Sequence, residues 1–231
     1  MTLHLHAVRF DATDPPGLAR FWAGVLRRAV AEDGLTLLPT AATELTIRFA
    51  RTTAPKTGLG RAHFDLTSTS LEDQNETVQR ALDLGGRHLD IGQSPDEPHV
   101  VLADPEGNEF CVIEPGNNFL AGCGFVGAFN WDGSQEVGYF WSRALDWPLV
   151  WDQDQETAIQ SPAGGTKIAW GGPPVNPRST NDRLHMDLLA DVDIEAEVDR
   201  LVTLGATRAG RDGADVVMAD PDANEFRLLT T

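Results

Sequence analysis

Histidine and aspartate stand two residues apart at two places in the sequence, as His63 with Asp65 and as His185 with Asp187. Residues i and i+2 of a β-strand share a face, so each histidine lies beside its aspartate if these segments are strands. A histidine held next to a carboxylate can act as a general acid or base. We therefore take both pairs as candidate catalytic or ligand-binding groups.

A second kind of candidate occupies the last strand expected after each pair. Cys111 lies two residues after Glu109, and Arg227 lies two residues after Glu225. A thiolate can bind a metal ion, whereas a guanidinium stays protonated and is not an ordinary metal ligand. Because an unpaired buried charge is costly, we expect Arg227 to pair with Asp187 or Glu225, the alternative being an anionic group of a ligand.

Tryptophan is concentrated in the second half of the chain, which holds five of the six. Trp22 and Trp141 fall at helical spacing with apolar neighbours, which predicts core positions. Three others lie on or beside expected strands and are candidates for lining a cavity for a flat or cationic ligand, with core packing as the alternative: Trp131, Trp151 and Trp170. Their position favours a binding cavity in the second half.

The candidates belong to an internal repeat. Four blocks recur in the same order, at offsets of 119, 122, 120 and 116 residues: Phe21-Trp22, His63, Leu84-Gly85 and Asp104–Phe110 match Phe140-Trp141, His185, Leu204-Gly205 and Asp220–Phe226. Each repeat divides again into strand, helix and three strands. Asp14-Pro15-Pro16 can open the first helix, and a helix over Leu71–Leu84 would stop at Gly85.

These motifs resemble the vicinal oxygen chelate superfamily, which includes glyoxalases, bleomycin-resistance proteins and extradiol dioxygenases. The resemblance rests on Asp14-Pro15 with Phe21-Trp22, on His63, and on the Asp-Pro-x-Gly-Asn-Glu-Phe segment at Asp104–Phe110. It implies an α+β fold with two tandem glyoxalase-like domains, residues 1–115 and 120–231. Each domain would contain two paired βαβββ modules that form a curved mixed sheet around a cavity.

The resemblance also implies a position for a divalent metal in the first domain. Transfer of the family's ligand positions gives His6, Glu44, His63 and Cys111, a set that could bind zinc, iron, nickel or manganese. Two of these depart from the pattern, because the first-strand position falls on Ala7 and the last position is usually a carboxylate. We therefore favour no metal, and in the second domain Arg227 excludes one.

The bulk composition restricts location and partners. The chain has 35 acidic and 18 basic residues, a net charge of −17, which disfavours nucleic-acid binding and suits either a solubilising surface or a cationic ligand. Two cysteines are too few for a disulfide framework, and neither a secretory signal nor a membrane span is recognisable. We expect a cytoplasmic monomer or homodimer that binds a small organic molecule.

Three functions remain open. The first is a metal-independent protein of the bleomycin-resistance type that sequesters a drug or metabolite, and this is the one we favour. The second is a metal-dependent lyase, isomerase or dioxygenase with its site in the first domain. The third is a metal-free enzyme in which His63 or His185 acts as general acid–base.

Overall fold

The computed structural model of the chain describes residues 2–94, 96–173 and 182–230. These residues form four consecutive modules that each begin with a strand and a helix. Module 1 contains β1 (Leu3–Ala12), α1 (Pro15–Leu26), β2 (Thr36–Leu37) and β3 (Ile47–Arg51). Module 2 contains β4 (Ala62–Leu66), α2 (Leu71–Asp83), β5 (Arg87–His88), β6 (Val100–Ala103) and β7 (Glu109–Val112).

The second half of the chain repeats this order. Module 3 contains β8 (Val126–Trp131), α3 (Gln135–Leu145), β9 (Leu149–Gln153), β10 (Glu156–Gln160) and β11 (Lys167–Trp170). Module 4 contains β12 (Leu184–Ala190), α4 (Ile194–Leu204), β13 (Thr207–Asp212), β14 (Asp215–Ala219) and β15 (Glu225–Leu229). No helix in the described residues combines the length and apolar character needed to cross a bilayer.

The helix ends follow the sequence signals. Asp14 caps α1, since its side chain accepts a hydrogen bond from the Gly17 amide (3.3 Å), and the two prolines occupy the first helical positions. Helix α2 begins after Ser70, whose hydroxyl accepts from the Asp73 amide (3.1 Å), and is followed by Gly85 at φ 102°. A left-handed φ of this kind favours glycine, which explains the predicted stop.

The strands form two mixed sheets. Sheet A has the order β13-β14-β15-β12-β1-β3-β2, and sheet B has the order β5-β6-β7-β4-β8-β11-β10-β9. The predicted α+β class, with mixed sheets built from paired modules, is confirmed. Modules 2 to 4 have the expected strand–helix–three-strand order, while in module 1 the isolated bridge Val30–Leu37 accompanies two strands after the helix.

The pairing of the modules differs from the one expected. We expected each domain, 1–115 and 120–231, to complete its own sheet. Instead, β1 pairs antiparallel with β12 and β4 pairs antiparallel with β8, so sheet A joins modules 1 and 4 and sheet B joins modules 2 and 3. The boundary between residues 115 and 120 itself stays a prediction.

The aromatic core explains why modules 1 and 2 do not share a cavity. Phe10 of β1 and Trp22 of α1 both pack on Phe64 of β4, with ring centroids 5.6 Å apart in each case. Trp22 also packs on Phe110 of β7 at 5.0 Å, and it is fully buried, as its helical spacing predicts. The two modules therefore meet through their helix-side faces. Because side chains alternate along a strand, the other faces of the two modules point away from each other. In module 2 this other face carries His63.

The repeated Asp-Pro motif has a structural role in both halves. Asp104 accepts hydrogen bonds from the backbone of Glu106 and Asn108 within its turn and from the Trp22 indole (3.2 Å) of the preceding module. Asp220 makes the equivalent bond to the Trp141 indole (3.1 Å). Each motif thus closes a hairpin and fixes a helix of the neighbouring module onto it, which accounts for its value as a fold signal.

Candidate functional site

The face of sheet B that lies away from the helices carries three potential metal or proton ligands. His63 and Asp65 are i and i+2 on β4, and Asp65 is paired in register with Cys111 on β7. One donor atom from each of the three side chains lies within 4.8 Å of the other two. The structure therefore brings together His63, Asp65 and Cys111, as strand periodicity predicts. We call this face, away from the helices, the concave face of each sheet.

His63 and Asp65 form an ion pair that a third side chain orients. His63 Nε2 is 3.5 Å from Asp65 Oδ1, and the Asn130 amide donates to the other oxygen, Oδ2. Burial alone would lower the pKa of His63, but its hydrogen bonds to Asp65 and Cys111 outweigh burial and hold this pKa well above 6.5. The raised pKa favours the protonated imidazole, which can donate a proton or a hydrogen bond.

Cys111 is buried, with 8% of its surface exposed. Burial raises the pKa of its thiol, so that it is neutral at neutral pH. It packs with Val101, Ile113 and Leu120 in a small apolar cluster on the concave face. In the absence of a bound ion, this environment makes Cys111 a small apolar residue rather than a nucleophile.

An aromatic side chain closes the other end of the same face. Following the register from β4 to β9, His63 is opposite Asn130, Asn130 is beside Ala169, Ala169 is beside Ala158, and Ala158 is opposite Trp151. Directly paired residues point to the same side of a sheet. Ala158 is fully buried, so Ala169 forms the floor between His63 and Trp151.

This floor is the base of a cavity of about 300 Å³. Phe119, from the segment that links modules 2 and 3, contacts Trp151 edge-to-face, with ring centroids 5.3 Å apart. The carbonyl oxygen of Phe119 accepts a hydrogen bond from Lys167, whose ammonium also lies 4.9 Å from the centre of the Phe119 ring. The linking segment thus forms one wall of the cavity and is held there by the sheet.

The structure separates Trp151 from the other two tryptophan candidates. Trp131 and Trp170 pair with each other in register on the helix side of sheet B, and Trp131 packs on Phe129 at 5.1 Å. Both are buried in the core, yet they also border the end of the 300 Å³ cavity. Their indole nitrogens have no hydrogen-bond partner among the described residues.

The concave face of sheet A carries the same positions with different chemistry. His185 and Asp187 of β12 face Arg9 and Ala7 of β1 in register. Arg9 stands where sheet B has Asn130, and its neighbour Arg48 stands where sheet B has Ala169. Sheet A thus has arginines at positions that are amide or alanine in sheet B.

The arginines of sheet A are engaged with carboxylates. Arg48 lies 3.6 Å from Asp187, which is 1% exposed, and Arg9 donates to Asp11 at 2.8 Å. Arg227 forms an ion pair with Asp212 at the end of β13. Its charge also acts on Asp187, where it partly counters the rise in the pKa of that carboxyl caused by burial.

The cavity of sheet A is correspondingly small. His185 lies 3.6 Å from Asp11 and contacts the carbonyl oxygens of Asp182 and Glu225 at 3.0 and 3.3 Å. About 140 Å³ remains beside His185 and Arg227. We expected the tryptophans to line the cavity of the second half, which contains Arg227. This is wrong, because module 3 pairs with module 2 and places Trp151 on the same face of sheet B as His63.

The predicted four-residue metal set is divided between the two sheets. His63 and Cys111 lie on sheet B, whereas His6 and Glu44 border a separate cavity of about 280 Å³ between modules 1 and 3. A β-bulge between Leu5 and Ala7 leaves His6 exposed and keeps Ala7 opposite Asp187. Glu44 accepts hydrogen bonds from the backbone and hydroxyl of Thr40 at 2.7 and 2.8 Å.

Comparison with known proteins agrees with this architecture. The family described as glyoxalase-like domain matches residues 7–113 and 128–229, which is most of the chain. The chain belongs to the glyoxalase-like domain family. It is thereby a member of the vicinal oxygen chelate superfamily, as its motifs suggest. No curated protein matches its sequence.

Two solved structures show how far the glyoxalase-like fold extends over the chain. Glyoxalase I from Zea mays superposes with a TM-score of 0.67 at 12% identity, covering 98% of this chain and 92% of that one. A putative dioxygenase from Bacillus subtilis subsp. subtilis str. 168 superposes with a TM-score of 0.59 at 16% identity, covering 98% and 84%. At this identity the likeness concerns the fold alone.

Sheet B of this glyoxalase-like protein contains a donor set suited to one divalent ion. Nitrogen, oxygen and sulfur donors from His63, Asp65 and Cys111 match the ligands that zinc accepts at about 2.0–2.3 Å, and three protein ligands would leave a position open. The 3.5 Å between His63 and Asp65 is compatible with two ligands of one ion. Binding would require the Cys111 thiol to lose its proton. The observed donor set thus includes Asp65, and it does not include His6 and Glu44 of the predicted set.

Several residues of the site were not recognisable from the sequence. These residues reach the site only because module 3 lies beside module 2, and they are Asn130, Phe119, Glu156 and Ala169. A signal existed for Asn130, because it is a polar residue in an otherwise apolar strand at the repeat position of Arg9. Without knowledge of the pairing, that signal could not be connected to His63.

Proposed function

We propose that this chain binds a small organic molecule on the concave face of sheet B, without a metal ion. The observation that carries the proposal is the cavity of about 300 Å³ that combines Trp151 and Phe119 with the ion pair of His63 and Asp65. Ligand sites of proteins are typically concave and apolar with a few placed polar groups, and this cavity has that composition.

The state of His63 supports the metal-independent form of this proposal. Its raised pKa favours the protonated form, and a protonated imidazole has no free lone pair for a metal. Asp65 is satisfied by His63 and Asn130. The polar groups are therefore complete without an ion and can act as fixed donors and acceptors for a ligand, as in sequestration of a drug or metabolite.

Tryptophan fluorescence can test this site directly, because Trp151 borders the cavity. Small aromatic and cationic compounds would be screened against the wild-type chain and then against Trp151→Leu, His63→Ala and Arg227→Ala. The proposal expects hits that weaken with the first two changes and not with the third. Hits that respond only to Arg227→Ala would move the site to sheet A and contradict the proposal.

A metal-dependent lyase, isomerase or dioxygenase is the second candidate. The observation that favours it is the proximity of three donor atoms of different type on one face. A bound divalent ion would supply Lewis-acid polarisation of a substrate oxygen, and Trp151 and Phe119 would position that substrate. Protein purified without chelator should then contain one equivalent of zinc, iron, nickel or manganese that His63→Ala removes. Substoichiometric metal in the wild-type chain would rule this candidate out.

The sequence supports two further proposals about the setting of the protein. We infer a cytoplasmic location from its two unpaired cysteines, and a monomeric or homodimeric state. Cell fractionation and light scattering of the purified chain test them. Localisation in a secreted fraction, or a larger assembly, would contradict them.

A further inference from the structure

Among the described residues that line the sheet B cavity, carboxylates outnumber basic side chains. They are the carboxylates of Asp65, Asp132 and Glu156 and the imidazole of His63. Asp65 forms an ion pair with His63 at 3.5 Å, whereas Glu156 is exposed and has no ion-pair partner among the described residues. The nearby ammonium of Lys167 is directed to Phe119 and is not part of the lining.

Glu156 and Trp151 lie together on the rim of the cavity. Trp151 is opposite Ala158 in the β9–β10 hairpin, and Glu156 is two residues before Ala158 on the same strand face. Carboxylate and indole are the two groups that attract an organic cation, one by charge and the other through its π-face. The face of Phe119 already holds a cation of the protein, Lys167. Trp151 is not occupied in this way among the described contacts.

Sheet A shows that this polarity is specific to sheet B. At matching register positions, sheet A has Arg9, Arg48 and Arg227 where sheet B has Asn130, Ala169 and Cys111. Sheet A therefore carries three fixed cations at positions that are uncharged in sheet B. In sheet A these cations are engaged with carboxylates of the protein, whereas Glu156 on the rim of sheet B has no ion-pair partner among the described residues and can attract a cationic molecule.

We propose that the ligand of the sheet B cavity is an organic cation that carries a flat apolar body. Its charged group, an ammonium or amidinium, lies between Trp151 and Glu156. Its body lies over Ala169, toward His63. This inference rests on the proposed function, because it specifies the chemical class of the molecule bound there.

Three probes of similar size and different charge test the inference by titration calorimetry: phenethylammonium, 2-phenylethanol and 3-phenylpropionate. The wild-type chain is expected to bind phenethylammonium at least about fivefold more tightly than 2-phenylethanol and to bind 3-phenylpropionate least. Glu156→Gln should remove most of the preference for the cation and leave the affinity for the neutral alcohol unchanged.

A matched control separates the local effect from the general charge of the protein. Asp154→Asn removes the same charge two residues away, in the exposed turn between β9 and β10. It should leave the preference for phenethylammonium intact. Equal loss in Glu156→Gln and Asp154→Asn would overturn the inference, since the attraction would then come from the net charge of −17.

The outcomes also distinguish this inference from the proposed function. Tighter binding of 2-phenylethanol or 3-phenylpropionate, weakened by Trp151→Leu, would overturn the choice of a cation and leave small-molecule binding on sheet B in place. Binding of phenethylammonium that ignores both Trp151→Leu and Glu156→Gln would overturn both. Loss of cation preference in Glu156→Gln, with the alcohol unaffected, supports both.

Discussion

At the scale of single residues, strand periodicity was enough to predict which side chains share a face. His63, Asp65 and Cys111 come together as their spacing predicts. What the periodicity could not give is their state, because this depends on contacts across strands. Asn130 orients Asp65 from β8, and the hydrogen bonds of His63 raise its pKa and so favour the imidazolium over the free base.

The raised pKa of His63 gives the first prediction. A histidine whose pKa is higher in the folded state stabilises the fold below its unfolded pKa of about 6.5, and this stabilisation is lost as the pH rises through the folded value. NMR titration should show the His63 imidazole titrating well above 6.5, and Asp65→Asn should lower that midpoint because it removes the largest contribution that raises it. His63→Gln assigns the resonance. A midpoint below 6.5 in the wild-type chain would show that burial outweighs the partners.

The buried aspartates of the two Asp-Pro turns give a second prediction, of the same sign but in a lower pH range. Burial raises the pKa of both Asp104 and Asp220 from 3.8 to about 6. The folded state therefore binds more protons than the unfolded state between these values, and stability should increase as the pH falls from about 7 toward 5, by at most about 3 kcal/mol per group. Below about 4.5, carboxylates with lowered pKa, such as Glu44 and Asp73, should reverse the trend.

Urea unfolding at a series of pH values measures this dependence. Asp104→Asn and Asp220→Asn should each flatten the profile between pH 5 and 7, even if they lower the overall stability by weakening the turn. Asp83→Asn, an exposed position at the end of α2, serves as the control. Profiles of equal slope in all four proteins would contradict a raised pKa at these aspartates.

At the scale of elements, the sequence predicted the modules well and their pairing wrongly. Apolar spacing and the proline and glycine signals define each strand and helix locally, so α1 and α2 were predictable. All four modules, however, present similar helix-side faces and similar first strands. Local pattern therefore cannot distinguish pairing of module 1 with 2 from pairing of module 1 with 4. The aromatic contacts between Trp22, Phe64 and Phe110 decide it, and they join residues far apart in sequence.

Close packing between a helix and the sheet gives the third prediction. A Cβ atom on Gly138 of α3 would lie 2.0 Å from the Thr157 hydroxyl oxygen on β10, so Gly138→Ala should push the helix away. We expect a loss of about 1–3 kcal/mol in the free energy of unfolding, although alanine favours a helix by about 1 kcal/mol. Gly210→Ala, with no atom within 4 Å of its Cβ, should change stability by less than about 0.5 kcal/mol. Equal effects would show that α3 can move freely on the sheet.

At the scale of the whole molecule, each half of the chain depends on the other, because module 1 pairs with module 4 and module 2 pairs with module 3. Strand β1 loses its partner β12 and β4 loses β8 if the chain is divided after residue 115. These are among the most extensive strand pairs of the fold, and unpaired strand edges tend to find another chain. The same pairing explains why the cavity of sheet B is aromatic, whereas that of sheet A is filled by arginines and their partners.

Dividing the chain tests this interdependence. Residues 1–115 and 116–231, produced separately, should each self-associate or aggregate, and co-expression should yield a 1:1 complex with the circular dichroism of the intact protein. Size-exclusion chromatography with light scattering measures the outcome. Two stable monomers that ignore each other would contradict the pairing of modules across the halves.

The central claim, that sheet B and not sheet A holds the ligand, is tested most directly by exchanging one residue between equivalent positions. Ala169→Arg gives sheet B the arginine of sheet A, and Arg48→Ala gives sheet A the alanine of sheet B. Titration calorimetry with the tightest hit of the fluorescence screen should show binding abolished in Ala169→Arg and unchanged in Arg48→Ala, with folded far-UV circular dichroism spectra for both. Binding that persists in a folded Ala169→Arg protein and disappears in Arg48→Ala would contradict the claim.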